Sequence, residues 1–380
     1  MSDHTMRGLT IAEEAGKIDV RNDLLTPKPG PGQLRVAIEF AAQNPPDAYA
    51  LVPEQSKDYR SRDHVLGSDF AGTIVESNAA LPGAAIGSRV CGWVPGDTTT
   101  TGTFAEYTVC DAALTVKPPD HLPLDQLAAF SFSFFTALHA LGSQAGLQLD
   151  LERLGEEHAR AEQSPILVWG AGTACGQYAI QILRVAGYQS IAIAGSKSLD
   201  SLRRLGATYA FGREDEASTV QQIRAQWPHL EKALDCHASP ETVDACLRCF
   251  AADQKGERQV HKLLPSLPSG HGRGDVRQTF ALIHALLGRP VPLLAMLGDE
   301  YPSADVFASD RRLAERWASY DQGHLHRLLS SGKIIVLPAK TWPLDGKTGE
   351  QGLAGAKEAL LSMYAGHTPS GKVVHRLGDA

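Results

Sequence analysis

The pattern of apolar and polar positions divides the chain into a β-rich first part and an alternating middle part. From about Leu9 to Val116, short segments rich in β-branched and aromatic residues are separated by Pro and Gly, which is typical of strands joined by turns. The clearest of these segments are GQLRVAIEFAAQ, FAGTIVES, GSRVCGWV and TFAEYTVC. After Leu122 the apolar spacing becomes helical over PLDQLAAFSFSFFTALHALGSQAG, and we expect a helix that leads out of the first domain.

The middle of the chain alternates between strand and helix patterns. A polar, charged stretch at residues 147–165 precedes it and predicts a surface insertion. From Ile166 to about Ala252, predicted strands alternate with predicted helices, and such alternation builds a parallel, doubly wound sheet. The predicted strands are ILVWG, SIAIAG, TYAFG and KALDCHA, and the predicted helices are GQYAIQILRVAG, LDSLRRLGA, ASTVQQIRAQW and ETVDACLRCF.

The last third of the chain returns to short β segments. Residues 253–310 begin with the basic run QKGERQVHKLL, and their pattern assigns no strand. The tail contains GKIIVLPAKTWPL, a helical pattern around GLAGAKEALLSMYAG, and SGKVVHRLGDA, which indicates that the chain re-enters the first domain. Because 380 residues are too many for one core, we expect an α/β protein with a β-rich domain at 1–135, an α/β domain at 136–305 and a return at 306–380.

Composition narrows the classes of partner. The net charge of −7, without clustered Lys and Arg, predicts that the chain binds neither nucleic acid nor a membrane. No run approaches the roughly 20 apolar residues of a membrane span, and the polar start lacks a signal-peptide core, so we expect a soluble, cytoplasmic protein. The six scattered cysteines favour reduced thiols, and Cys246 and Cys249 fit one face of a helix better than a metal site.

A glycine-rich turn follows the first predicted strand of the alternating region. Gly170, Gly172 and Gly176 separate ILVW from a predicted helix, although Gly176 falls one residue later than the last glycine of GxGxxG, whose place Cys175 takes. A parallel strand that ends in such a turn directs the N–H groups of the next helix at an anion. We therefore predict that this turn holds the pyrophosphate of a dinucleotide.

The end of the second strand bears on the choice of dinucleotide. An NAD enzyme usually has Asp or Glu there to bind the ribose 2′-hydroxyl, whereas this chain has Ser196 and Lys197. A Lys charge and a Ser donor favour a 2′-phosphate, and Arg213 after the third strand can add a cation or stack on adenine. The prediction is NADPH, with a solvated turn lysine as the alternative for Lys197.

Seven short segments occur in a fixed order along the chain. They are Asn44-Pro-Pro-Asp-Ala-Tyr49, Leu66-Gly-Ser-Asp69-Phe-Ala-Gly72, Gly102-Thr-Phe-Ala-Glu-Tyr107, the GAGTACG turn, Leu205-Gly-Ala207, Ala233-Leu-Asp235-Cys and Ser370-Gly-Lys-Val-Val-His-Arg. Taken together, these segments resemble the medium-chain dehydrogenase/reductase superfamily. The resemblance covers nearly the whole chain and implies a GroES-like catalytic domain at 1–135 and 306–380 around a Rossmann NADP-binding domain at 136–305.

The chain departs from the zinc enzymes of that superfamily. They have Cys in the first of these motifs and His-Glu in the second, where this chain has Asn44-Pro45 and Ser68-Asp69, and the four-Cys structural lobe is missing from the sequence. The resemblance therefore implies metal-free hydride addition to a C=C conjugated to a carbonyl. The insertion, the ALDC strand and the tail are most similar to the fungal trans-acting enoyl reductases of polyketide synthases. Their substrate is an α,β-unsaturated polyketide thioester on an acyl carrier domain.

The resemblance also implies a set of site residues, with Thr136 and Gly288 facing the substrate. The nicotinamide would lie beside Pro46, Asp47, Ala48, Tyr49 and Thr136, and the pyrophosphate would lie on Gly170, Gly172, Thr173, Ala174, Cys175 and Gly176. The 2′-phosphate would lie on Ser196, Lys197, Ser198 and Leu199. The residues that would close over the cofactor are Leu263, Leu264, Pro369 and Ser370.

The proton donor is less well defined. Hydride addition to the β-carbon builds an enolate that needs a donor, and Tyr49 and Thr136 are the candidates. Tyr49 can instead pack on the nicotinamide, and Asp47 and Asp69 fit structural hydrogen bonds better than chemistry. The segment AADQKGERQVHKLLPS lacks the Gly-Gly turn that the family usually has, so a non-redox cyclase remains an alternative function. Two further alternatives are an NADPH quinone reductase that acts on a small enone and a partner subunit without chemistry.

Overall fold

A computed structural model of the chain describes residues 5–12, 14, 16–48, 51–52, 64–96, 100–152, 154, 164–252, 256–265, 273–280, 282–291, 302–344, 349–367 and 370–378. The chain divides into two compact units. The first unit comprises residues 1–132, 315–332 and 336–380, and the second comprises residues 133–314 and 333–335.

The first unit begins as an antiparallel β structure. Its strands are β1 (Thr5–Ile11), β2 (Ile18–Leu25), β3 (Gln33–Ala42), β4 (Asp69–Ser77), β5 (Arg89–Trp93) and β6 (Tyr107–Asp111), and its first helices are α1 (Pro45–Ala48) and α2 (Leu124–Ala128). β3 pairs with β4 and β6, and β4 pairs with β5. Alternation in β3, which the sequence predicted to be a strand, directs Leu34, Val36 and Ile38 into the core of this unit.

The second unit is a parallel α/β sheet. Its elements are α3 (Ser131–Gly142), which starts two residues before the unit, β7 (Ile166–Trp169), α4 (Ala174–Val185), β8 (Ser190–Ala194), α5 (Leu199–Leu205), β9 (Tyr209–Gly212), α6 (Glu216–Gln226), β10 (Lys232–Asp235), α7 (Pro240–Cys249), β11 (Gln259–Lys262) and β12 (Arg277–Phe280). The strand order is β12-β11-β10-β7-β8-β9, with parallel pairing throughout. The predicted strand–helix alternation over 166–252 is confirmed, and β11 and β12 extend the sheet within the stretch where the sequence assigned no strand.

The end of the chain returns to the sheet of the first unit. The remaining elements are α8 (Ala304–Trp317), α9 (His324–Ser330), β13 (Ala339–Thr341), α10 (Gly352–Tyr364) and β14 (Lys372–Arg376). β14 pairs antiparallel with β3, which gives the order β13-β14-β3-β4-β5. The α/β class, with an antiparallel β-rich unit and a doubly wound parallel unit, is thus as predicted.

The structure differs from the sequence predictions in two places. The helical pattern over PLDQLAAFSFSFFTALHALGSQAG is broken into α2 and α3. The predicted surface insertion begins with Leu147, Leu149 and Leu151, all buried, because the Leu147 and Leu149 N–H groups bond back to carbonyls of α3. The two compact units divide after residues 132 and 314, inside α3 and α8, and the domain boundaries expected after residues 135 and 305 stay predictions. Among the described residues, no helix is both long and apolar enough to cross a bilayer.

Candidate active site

The glycine-rich turn joins a buried strand to a capped helix. All four residues of β7 are buried, and Gly170 turns the chain with φ +70°. Thr173 caps α4, since its Oγ1 accepts a hydrogen bond of 3.1 Å from the Gly176 N–H. A Cβ at Gly176 would lie 2.6 Å from the Ala171 Cα, so only glycine lets the helix pack this closely on the turn.

The geometry of this turn fits a dinucleotide diphosphate. The first N–H groups of the 12-residue helix α4 lack intrahelical acceptors, and Ala174 and Cys175 occupy its first turn. A Cβ at Gly172 would fill the space next to the turn after β8, 3.4 Å from the Ser198 Oγ and 3.6 Å from the Ala194 Cβ. The absence of a side chain at Gly172 therefore lets the turn after β7 lie close to the turn after β8.

The turn after β8 holds a carboxylate that the sequence analysis did not consider. The Glu214 Oε1 accepts a hydrogen bond of 2.8 Å from the Ser196 N–H, and its Oε2 accepts one of 2.7 Å from the Ser196 hydroxyl. These hydrogen bonds lower the pKa of Glu214. Lys197 and Arg213 are exposed beside this contact, and Leu199 begins α5. The Ser196 donors that were predicted for a phosphate are thus used by a side chain of the same unit.

The other carboxyl ends of the parallel strands lie along the same edge of the sheet. Leu263 follows β11, and its N–H bonds to the Asp235 carbonyl at the end of β10. Leu263 is half-buried and Leu264 is exposed, as residues that cover a ligand would be. The Asp235 carboxylate is itself occupied by the N–H groups of His237 and Ala238, so it shapes the turn after β10.

In the first unit, helix α1 is held by a buried carboxylate. The Asp47 Oδ2 accepts a hydrogen bond of 2.6 Å from the Asn44 N–H, and its Oδ1 lies 3.5 Å from the Ser68 hydroxyl. Pro46 is half-buried and Ala48 is buried in the same helix. Asp47 therefore makes the structural hydrogen bonds that the sequence analysis preferred over a chemical role.

A second buried carboxylate in the first unit is paired with a lysine. The Asp69 Oδ2 lies 3.0 Å from the Lys372 Nζ, and the Oδ1 accepts a hydrogen bond of 2.6 Å from the Phe132 N–H. Lys372 also donates to the Asn44 Oδ1. Asp69 is fully buried, and the Lys372 side chain is 11% exposed. Asn44, Asp69 and Lys372 thus form one ion-paired cluster.

This cluster does not fit a catalytic zinc ion. By the resemblance, Asn44-Pro45 and Ser68-Asp69 replace the Cys and His-Glu of the zinc enzymes. Asn44 and Asp69 are both hydrogen-bonded to an ammonium group that would repel a divalent cation. Burial raises the pKa of Asp69, and Lys372, the Phe132 N–H and Asn44 oppose that rise. Within the described ranges, no three His, Cys, Asp or Glu side chains group as metal ligands.

The remaining predicted site residues lie on separate elements. Thr136 is the one residue between 131 and 141, all of them described, that is not buried. Gly288 has φ +70° and packs against Arg311. Ser370 is exposed and accepts a hydrogen bond of 3.4 Å from Lys340. Tyr49 and Pro369 lie outside the described residues, so their roles stay predictions.

Comparison with known proteins identifies the family. The family described as alcohol dehydrogenase GroES-like domain matches residues 30–120, and the family described as zinc-binding dehydrogenase matches residues 174–255. Trans-enoyl reductase milB of Cordyceps militaris is 32% identical over 75% of this chain and 78% of its own length. Trans-enoyl reductase caaB of Aspergillus niger is 32% identical over 87% of this chain and 88% of its own length.

Solved structures agree on the fold. The CurK enoyl reductase superposes with a TM-score of 0.69 at 16% identity and covers 99% of this chain and 100% of its own. The chain belongs to the medium-chain dehydrogenase/reductase superfamily. Within that superfamily its curated relatives are fungal trans-enoyl reductases, and it is an enzyme of the oxidoreductase class.

One residue in each unit was missed by sequence reasoning. Lys372 lies in the quoted SGKVVHR segment, but its partner Asp69 is 303 positions away. Glu214 follows the third strand of the alternating region, and its partner Ser196 follows the second. A basic residue in an apolar β segment was a usable signal for Lys372. The sequence offered none for Glu214, because acidic residues are common in surface turns.

Proposed function

We propose that this protein is a trans-acting enoyl reductase of fungal secondary metabolism, which uses NADPH to reduce an α,β-unsaturated polyketide thioester carried by a polyketide synthase. The observation that supports this most is the Lys372–Asp69 ion pair, because Asp69 lies in the motif where, by the resemblance, the zinc enzymes have His-Glu. Without a metal to polarise an alcohol or ketone, hydride addition to an activated C=C is the chemistry that suits the fold. The names of the relatives point to the same reaction.

The residues of this chain have separate tasks in that reaction. NADPH, when bound, supplies the hydride. The turn from Gly170 to Gly176 binds its diphosphate, and Lys197 and Arg213 supply positive charge for its 2′-phosphate. Tyr49 donates a hydrogen bond to the enolate oxygen and its hydroxyl proton to the α-carbon, and then regains a proton from solvent; Thr136 is the second catalytic candidate.

The activity is tested with a carrier-bound substrate. The protein is mixed with NADPH and a short α,β-unsaturated acyl thioester on an acyl carrier protein, and the absorbance of reduced nicotinamide is followed. We expect the absorbance to fall, and to stay constant with the saturated thioester. No oxidation with any carrier-bound enoyl substrate would contradict the proposal, and conversion of a linear precursor without oxidation would identify a cyclase.

The choice of NADPH is tested by Lys197→Ala. Loss of the ammonium group should weaken NADPH binding by about tenfold, the effect of one charge-assisted contact, and leave NADH binding nearly unchanged. Isothermal titration with each reduced nucleotide measures both affinities. Equal losses for the two nucleotides would remove the assignment of Lys197 to the 2′-phosphate.

A further inference from the structure

The Glu214 carboxylate accepts hydrogen bonds from two donors of Ser196 that could otherwise bind an anion from solution. Both carboxylate oxygens are used: Oε1 accepts from the Ser196 N–H at 2.8 Å and Oε2 from the Ser196 hydroxyl at 2.7 Å. A phosphate group would be bound by the same pair of donors, with similar lengths and the same sign of charge. A carboxylate and a phosphate cannot accept from both donors at once.

The register of the sheet fixes this contact. β8 and β9 are parallel neighbours, with Ala194 opposite Gly212, and the Arg213 N–H bonds to the Ala194 carbonyl at 2.9 Å. The chain after β9 therefore runs beside the turn after β8. Gly212 leaves room for the carboxylate, because a Cβ there would lie 2.7 Å from the Glu214 Oε2. The position of Glu214 at Ser196 is thus a consequence of strand pairing.

The Glu214 carboxylate should affect the binding of NADH and the binding of NADPH differently. A ribose with a free 2′-hydroxyl can donate a hydrogen bond to Glu214, as acidic residues at this end of a Rossmann sheet commonly accept. A 2′-phosphate must instead displace Glu214 from Ser196, against the repulsion between two anions. Glu214 is exposed, so it can turn into solvent when it is displaced.

We infer that Glu214 is a further specificity-determining residue of the cofactor site: it competes with the 2′-phosphate for Ser196 and so lowers the affinity for NADPH relative to that for NADH. This inference rests on the proposed function, since it assumes that a dinucleotide binds at the turns after β7 and β8. Removal of the Glu214 charge should therefore raise the affinity for the nucleotide with a 2′-phosphate and leave the affinity for the nucleotide without it no higher.

The experiment measures binding without catalysis. The affinities of 2′,5′-ADP and 5′-AMP, which differ in the 2′-phosphate, are determined by calorimetry for the unaltered protein, Glu214→Gln and Asp200→Asn. Asp200 is an exposed acid of α5 that pairs with Arg203, and its variant controls for net charge. Glu214→Gln should bind 2′,5′-ADP about tenfold more tightly and 5′-AMP no more tightly, while Asp200→Asn should match the unaltered protein.

A double-mutant cycle distinguishes competition at Ser196 from a general field effect. In Ser196→Ala the gain from Glu214→Gln should shrink, because the shared donor is reduced to its N–H. Unchanged 2′,5′-ADP affinity in Glu214→Gln, or an equal gain in Asp200→Asn, would overturn the inference and leave the proposed function standing. If the unaltered protein and its variants bound neither NADPH nor 2′,5′-ADP, both would be overturned.

Discussion

Each unit of the molecule places a carboxylate close to its predicted site, and the two carboxylates differ in burial. In the first unit, Asp69 is fully buried and paired with Lys372, whose side chain is 11% exposed. In the second unit, Glu214 bonds to Ser196 at the exposed end of the sheet. A buried charge that loses its partner keeps the cost of its desolvation, whereas an exposed carboxylate regains water.

This difference in burial predicts that the Asp69 contact is fixed, whereas the Glu214 contact can be exchanged for a ligand. The Asp69–Lys372 pair links β4 to β14 through a contact that is almost entirely shielded from water, so it is costly to open. The Glu214–Ser196 contact costs little to open, so a ligand of the same charge can replace it. Substitutions in the two units should therefore change different properties.

The largest effect is expected at the buried ion pair. Lys372→Ala leaves Asp69 buried without its cation and should lower the free energy of unfolding by about 3 kcal/mol. Urea denaturation followed by tryptophan fluorescence measures the change. Lys340→Ala, which removes an exposed lysine from a 3.4 Å contact with Ser370, is the control and should leave the midpoint in place. Equal midpoints for the two variants would show that the pair does not stabilise the first unit.

The next largest effects are expected in the glycine-rich turn after β7, where one glycine is needed for packing and another for contact with the ligand. Gly176→Ala places a Cβ 2.6 Å from backbone atoms and should cost about 2 kcal/mol of stability as well as cofactor affinity. Gly172→Ala meets nothing closer than 3.4 Å, so it should fold normally and lose affinity for both dinucleotides. Unfolding midpoints and calorimetry separate the two outcomes. Normal NADPH binding by Gly172→Ala would contradict the location of the diphosphate.

Acid should weaken both units through one buried histidine in each. Burial lowers the pKa of His261 to about 3 and that of His375 to about 4, from an ordinary value of 6.5. The contribution of these two histidines to the free energy of unfolding is therefore fully present above pH 6.5. It declines as the pH falls toward 4, because the unfolded chain takes up protons that the folded chain does not. We expect about 1 kcal/mol lost per histidine between about pH 6.5 and 5.5.

Substituting each histidine tests this assignment. His261→Gln and His375→Gln should each flatten part of the decline in stability between pH 6.5 and 5.5, measured as urea midpoints across that range. The slope should fall by about half in each variant if the two groups contribute equally. A slope that neither substitution alters would assign the acid sensitivity to other groups.

The smallest effect is expected at the exposed contact. Glu214→Gln should leave the unfolding midpoint unchanged, since Glu214 is exposed and water solvates the Ser196 donors that it releases. The same urea titration as for Lys372→Ala gives a direct comparison of the two carboxylate contacts. A midpoint shift as large as that of Lys372→Ala would show that Glu214 is part of the fold rather than an exchangeable occupant.

The sequence alone determined the strand–helix alternation over residues 166–252 and the glycine-rich turn after its first strand. Strand and helix periods, and glycines that permit φ +70° or close packing, are local properties that need no partner from elsewhere in the chain. The identities of Asn44 and Ser68-Asp69 also removed the usual zinc ligands from the sequence. The break between α2 and α3 and the buried start of residues 147–165 were not predicted, because both depend on hydrogen bonds and packing made after the helices form.

Only the tertiary structure decided which charged side chains meet at the site. Asp69 and Val374 both lie opposite Ala42, from either side of β3, and this register brings Lys372 to a carboxylate 303 positions away. Glu214 reaches Ser196 because β9 pairs with β8 in parallel. Such contacts are set by strand order and register, which local patterns leave open until the whole sheet has formed.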